Sequence, residues 1–284
     1  MPKYYISADL EGVCGVTSLL QCYPRADHTE YDAAVEQLAM EINIVATTLL
    51  EADAAAEIVV NDAHSTMTNL LADHLLAPVS LVSGKPKLCA MMAGLDSSFD
   101  AAFLVGYHAK AGTEKGVLNH TFHSKLFDVN VNGTSYGEGG INSLYASLVH
   151  QVPVILASGD NAFCAEIKAH VPSVLTVETK QGLSTTAARS LSEAALQGIY
   201  QNQTHAVLEA LSKKGKKPFL VDLEPPYRLE ITFINSLACD VVMTSPLYQR
   251  VDGRTVQMTA GDFETLYRGL QSAYTMLSYT DYME

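Results

Sequence analysis

Asp9, Glu11, His64, His108 and Glu138 are the residues whose types and positions are suited to chemistry. Each follows, directly or within a turn, an apolar run that reads as a buried strand. In an open α/β sheet the carboxyl ends of the strands open onto one crevice, so residues distant in sequence meet there. Three carboxylates and two imidazoles form too acidic a set to be buried together without a cation. A mixed nitrogen and oxygen set lacking thiolate suits zinc, manganese or iron in a hydrolytic centre, and a pair of divalent ions would neutralise it. Five ligands for two metals imply that one carboxylate bridges, and Asp9, at the centre of the rim, is the expected bridge. His120, in Asn119-His120-Thr121, is the natural general base or electrophilic stabiliser, because imidazole titrates near neutral pH.

Taken singly, each motif has an ordinary reading. Asp9 and Glu11 share a face if the strand persists, but acidic residues also end strands as turn formers and caps. In Asn61-Asp62-Ala63-His64-Ser65, Asp62 is a candidate to orient the His64 ring; its ordinary role is a cap or a surface charge. Gly106-Tyr107-His108 offers a lone imidazole. Glu138 opens a helix within Gly137-Glu138-Gly139-Gly140, where a carboxylate is favoured by the helix dipole. The glycines around it cost about 1 kcal/mol each relative to alanine in a helix interior, which points to close approach of a backbone or ligand. That run lacks a dinucleotide or P-loop pattern. Cys14 lies near the site, where a thiol is a nucleophile or, more ordinarily, a small buried hydrophobe.

The elements that must position these residues follow from the pattern. Strands are expected from Lys3 to Asp9, Glu57 to Asn61, Val79 to Ser83, Ala101 to Gly106, Lys125 to Val131 and Pro153 to Ser158. A long loop runs from Gly12 to about His28. Thr29 caps a helix reaching about Ala52, with Ala34, Leu38, Ile42, Val45 and Leu49 at helical spacing. Asn132-Gly133 marks a hairpin. A helix starts near Gly137 or Glu138 and ends near His150. Strands alternating with helices imply an α/β fold, a largely parallel sheet flanked by helices on both faces. The pattern changes after Gly182: a helix from Ser192 to Leu211, strands from Arg228 to Ile234 and Thr255 to Thr259, and a helix from Asp262 to Leu277. We therefore expect a metal-binding catalytic domain over residues 1–182. A smaller α+β domain over 183–284 is expected to serve the substrate site or oligomerisation.

Composition sets the class. The chain has 284 residues, 48% apolar and 17% charged, enough for a well-packed core. Net charge is −13 with 18 Lys and Arg. The one basic run, Lys213-Lys214-Gly-Lys216-Lys217, has no interleaved aromatics, so no nucleic-acid partner is expected. No apolar stretch reaches the roughly 18 residues of a membrane span, so no membrane partner is expected either. Five cysteines without a C-x-x-C pair, and no visible leader, lead us to expect a reduced cytoplasm. The first turn, Asp9-Leu10-Glu11-Gly12-Val13-Cys14-Gly15, is not a nucleotide-binding fingerprint. The alternatives are another dinuclear hydrolase, an L-peptidase or a phosphoesterase, and a non-enzymatic Rossmann-like binding protein. An acidic site repels phosphate unless basic residues compensate, which ranks the phosphoesterase lower.

Ser7-Ala8-Asp9-Leu10-Glu11-Gly12 fits the SxDxEG signature of the DppA-type D-aminopeptidases, and the chain resembles that dinuclear zinc peptidase family. The likeness continues through Asn61 to Ser65, Gly106 to Ala109, Asn119-His120 and Gly137-Glu138, and weakens after Gly182. The resemblance implies two zinc ions per subunit, or manganese or another divalent ion, with Asp9 bridging and Glu11, His64, His108 and Glu138 completing the spheres. It implies that His120 is the catalytic base or proton shuttle. It also implies hydrolysis of short peptides, with N-terminal D-residues such as D-Ala, by a metal-activated water. The assembly implied is a homo-oligomer, a decamer of stacked pentamers. Lys110 stands where the family pattern leads us to expect Arg.

Overall fold

Short apolar runs closed by glycine, proline or polar residues set the strands, and longer amphipathic stretches set the helices. The computed structural model describes residues 1–24 and 28–278; residues 25–27, within the long loop expected before His28, and residues 279–284 lie outside the described residues. In chain order the first half runs β1 (Lys3–Ala8), α1 (Thr29–Ala52), β2 (Glu57–Asp62), β3 (Ser80–Val82), β4 (Ala101–Tyr107), β5 (Leu126–Val131), β6 (Thr134–Ser135) and α2 (Glu138–His150). The second runs β7 (Val154–Asp160), α3 (Asn161–His170), β8 (Leu175–Ser184), β9 (Ala187–Ser190) and α4 (Glu193–Lys214). It ends with β10 (Tyr227–Phe233), α5 (Ser236–Val242), β11 (Gln249–Arg250), β12 (Thr255–Ala260) and α6 (Phe263–Leu277).

The main sheet has seven strands in the order β3-β2-β1-β4-β7-β8-β9. All its pairs are parallel except β8 with β9. Strand alternation sorts the core into two faces. Ile6, Ala8, Phe103 and Val105 join α1 and α4 on one side. Tyr5, Ala102 and Leu104 join α2 and α3 on the other. The expected α/β architecture, with helices on both faces, is what forms. α1 is long and apolar enough to cross a bilayer by length and composition. Here its apolar stripe, Val35, Leu38, Ile42, Val45 and Leu49, is buried within the protein.

A second, antiparallel sheet has the order β11-β12-β10-β5-β6. Its apolar face, with α5 and α6, shares one core with α2. The sheets divide the chain differently from a cut at residue 182. The hairpin β5–β6, turning on Asn132-Gly133, lies between β4 and α2 in sequence yet pairs with β10. Conversely, β9 and α4 lie beyond 182 yet complete the main sheet and its helical cover. Pattern reading misses α3, β8, β9 and α5. The first three are short or have polar, exposed stretches, and α5 is only seven residues long. Thr29 is the first residue of α1, and His28 occupies the cap position.

Candidate metal centre

The order β2-β1-β4 puts three parallel carboxyl ends side by side. Asp9 follows β1 directly, His108 follows β4 directly, and His64 lies two residues past β2. β1 ends at Ala8, so Asp9 and Glu11 sit in a turn and not on a continuing strand. They converge because that turn is pressed onto the end of β4. Asp9 N–H donates to the Val105 carbonyl at 2.8 Å, and Gly12 N–H to that of Gly106 at 2.7 Å. A Cβ on Gly12 would collide with the Tyr107 carbonyl oxygen, and one on Gly106, at φ +75°, with that of Asp9. Only glycine permits this approach. Lys180, buried on β8, fixes the same turn by donating to the carbonyls of Glu11 (2.5 Å), Val13 (2.8 Å) and Val16 (2.5 Å).

All six residues singled out by sequence meet in one place. His64 Nδ1 lies 3.1 Å from Asp9 Oδ1 and 3.0 Å from Glu11 Oε2. His108 Nε2 lies 3.5 Å from Asp9 Oδ2 and 3.5 Å from Glu138 Oε1. His120 Nε2 lies 3.7 Å from Glu138 Oε1, and its ring stacks on that of His108 with centroids 4.1 Å apart. The five expected ligands are buried, while the His120 side chain keeps 28% of its surface exposed. The potential ligand atoms of Asp9, Glu11 and His108 lie within 4.8 Å of one another, and so do those of His108, His120 and Glu138.

Each imidazole has one nitrogen satisfied by a backbone carbonyl: His64 Nε2 by Cys22 (2.8 Å), His108 Nδ1 by Ala109 (3.0 Å), His120 Nδ1 by Leu118 (3.0 Å). That leaves His64 Nδ1, His108 Nε2 and His120 Nε2 for the cluster, the arrangement that fixes the tautomer of a ligating histidine. Asp9 Oδ2, Glu11 Oε2 and His108 Nε2 are buried without a hydrogen bond among the described residues. Orphaned buried polar atoms are costly, and a divalent cation satisfies all three. The donor set therefore fits zinc.

With only protons present, the cluster's charges are in conflict. Burial, and then the Glu11 charge, push the Asp9 carboxyl up to about 7. Burial would also raise Glu11, but the charged His64 beside it holds its carboxyl well below the usual range. Burial opposes charge on His64 and His108, yet Glu11 and Glu138 respectively drive these imidazoles well above their ordinary value. Burial and the His108 charge lower His120.

The structure reassigns several neighbours. Asp62 does not orient His64: its oxygens accept from the Asn69 and Leu70 N–H groups (2.6 and 2.8 Å) and from the Asn69 side chain (2.9 Å), shaping the loop past β2. Crowding around Gly139 and Gly140 comes from protein, since a Cβ would lie 2.6 Å from the Phe163 ring and 2.8 Å from Tyr136. The Cys14 thiol donates to the Leu191 carbonyl at 3.4 Å, and burial raises its pKa, which disfavours the thiolate a nucleophile needs. Lys110 is tied to Ser135 at 2.6 Å.

A buried network beneath the site was not foreseen. Tyr267 donates to Asn142 (2.7 Å), Asn142 to the Tyr107 hydroxyl (3.0 Å), Tyr107 to Ser7 (2.7 Å) and Ser7 to the Met91 carbonyl (2.7 Å). Asn61 donates to the same carbonyl at 2.7 Å. Ser7, Asn61, Tyr107 and Asn142 each lie within four residues of an expected ligand, so one network ties together the elements that carry them. Polar residues inside apolar strands were the available signal.

The comparisons agree with this geometry. A family model described as D-aminopeptidase matches residues 2–272. A D-aminopeptidase of Bacillus subtilis (strain 168) is 30% identical over 271 residues, covering 94% of this chain and 95% of that one. A solved structure described as the Zn-dependent D-aminopeptidase DppA from Bacillus subtilis, a self-compartmentalizing protease, is similar at TM-score 0.88 and 28% identity, over 96% of this chain and 97% of that one. By near full-length match in sequence and fold, the chain belongs to the D-aminopeptidase family.

Proposed function

We propose that this protein is a zinc-dependent aminopeptidase that removes N-terminal residues, D-Ala among them, from short peptides. The observation that carries this reading is the convergence of three orphaned buried ligand atoms, Asp9 Oδ2, Glu11 Oε2 and His108 Nε2, in a D-aminopeptidase fold. Asp9, Glu11, His64, His108 and Glu138 would hold two zinc ions. Asp9 would contribute to holding both, since its Oδ1 faces His64 and its Oδ2 faces His108. Bound there, divalent metal supplies Lewis acidity, lowering the pKa of water and polarising a carbonyl.

The chain's own groups do the rest. The buried carboxylates offer negative charge to a free α-ammonium, which explains action at an amino terminus. Phe122 N–H donates to Glu138 Oε1 at 2.5 Å and holds that carboxylate in place. His120 has its Nδ1 proton on the Leu118 carbonyl, so Nε2 faces the cluster with a lone pair. Nε2 takes a proton from the attacking water and returns it to the leaving amine. Tyr274 of α6 also lines the cleft, which gives the C-terminal segment a part in the substrate site. We further infer a self-enclosing homo-oligomer, a decamer of stacked pentamers, supported by the self-compartmentalizing description of the DppA structure. A reduced, cytoplasmic setting is supported by five buried free thiols.

The test is elemental analysis of the desalted protein, followed by D- and L-alanyl dipeptide assays. About two zinc ions per chain and release of D-Ala are expected. A protein that neither holds nor recovers metal, or that holds zinc and cleaves no dipeptide, overturns the reading.

A further inference from the structure

The cleft over the cluster is small, about 70 Å³, and its lining includes Asp9, Glu138, Ser65, Lys85, Phe122 and Tyr274. Lys85 is the only Lys or Arg among the described lining residues. Neighbours on both sides of it are held. Gly84 N–H donates to the Met67 carbonyl at 2.5 Å. Lys87 Nζ donates to Asn61 Oδ1 and to the Asp62 carbonyl, each at 2.6 Å. Both anchors lie on the segment that carries His64. Lys85 itself makes no hydrogen bond or ion pair among the described residues. The nearby Asp62 does not satisfy it, because the Asp62 oxygens are taken by Asn69 and Leu70. An exposed ammonium, with no partner among the described residues and with neighbours held on both sides, thus stands at a cleft whose floor is acidic.

A short peptide has the matching charges, an α-ammonium at one end and an α-carboxylate at the other. We propose that Lys85 receives the C-terminal carboxylate of the substrate, which makes the site selective for peptides with a free carboxyl end. This rests on the aminopeptidase reading and adds to it a specificity-determining residue. Phe122 and Tyr274, stacked with ring centroids 5.3 Å apart, supply an apolar surface for the side chain of the departing residue.

The experiment compares an alanyl dipeptide with its C-terminal amide, using the zinc-loaded enzyme and its Lys85→Met and Lys85→Arg variants. The wild type is expected to prefer the acid by about tenfold to a hundredfold in kcat/KM, as for one charge-assisted hydrogen bond. The preference should reside in KM, fall towards one in Lys85→Met and be largely kept in Lys85→Arg. A second readout is calorimetric binding of a reduced-bond dipeptide analogue, acid against amide, to the metal-free protein; the same preference and the same loss are expected. A wild type that treats acid and amide alike, or a Lys85→Met variant that keeps the preference, overturns the role of Lys85 while leaving the peptidase reading intact. If zinc-loaded wild type cleaves neither peptide, the peptidase reading falls and this proposal falls with it.

Discussion

At the residue scale, His120 and Asp9 are distinguishable by what their loss should remove. His120 shares with His64 and His108 a nitrogen pinned by a carbonyl, but its side chain is open to solvent where theirs are not. That exposure suits a group that exchanges protons with water and substrate. His120→Ala should keep both zinc ions and lose about 10²- to 10⁴-fold in kcat. Loss of one zinc with the activity would instead make His120 a ligand. On the proposed two-zinc reading, Asp9→Ala should bind neither ion tightly, because the carboxylate proposed as the bridge would serve both sites; full occupancy by elemental analysis would remove the bridging role. The five expected ligands were legible in the sequence because each follows an apolar run, directly or within a turn, and His120 because an imidazole in a loop nearby is a natural general base. Lys180 was not, although it grips the turn bearing Glu11. A lysine in the middle of a polar-looking segment gives no sign that three carbonyls distant in sequence enclose it.

At the scale of elements, the site depends on how closely the turn after β1 lies against the end of β4. Gly12→Ala puts a methyl group into the Tyr107 carbonyl, and neither backbone can yield without moving Asp9 or His108. A loss of about 3 kcal/mol or more is expected in urea unfolding, together with weaker zinc retention on dialysis. A variant as stable as the parent would mean that the contact is not tight. The main parallel strands and long helices were readable from apolar runs and from spacing such as Leu38, Ile42, Val45 and Leu49 in α1. α3 and β8 were not, since their apolar positions are interrupted by Glu166, Lys168, Glu178 and Lys180. The buried network from Tyr267 to Met91 was equally hidden, because a hydrogen bond between Asn142 and Tyr107 is a property of tertiary placement.

At the scale of the whole molecule, the two sheets are interleaved along the chain. A fragment of residues 1–182 lacks β9 and α4 of the main layer and leaves β5 without β10. It also loses Tyr267, the start of the network beneath the site. Such a fragment should show no cooperative thermal transition by circular dichroism, whereas the full chain should show one. A sharp transition in the fragment would establish an autonomous catalytic unit. The composition shift near Gly182 marks where the pattern changes, but pairing partners such as Val131 and Leu229 lie 98 positions apart and leave no local trace. That separation also bears on synthesis. During translation the β5–β6 hairpin leaves the ribosome with one edge open, and it stays open until residues 227–233 follow. An open edge is a template for a neighbouring nascent chain. Asp128 and Asn130, the polar residues of that edge strand, are its safeguard during the wait.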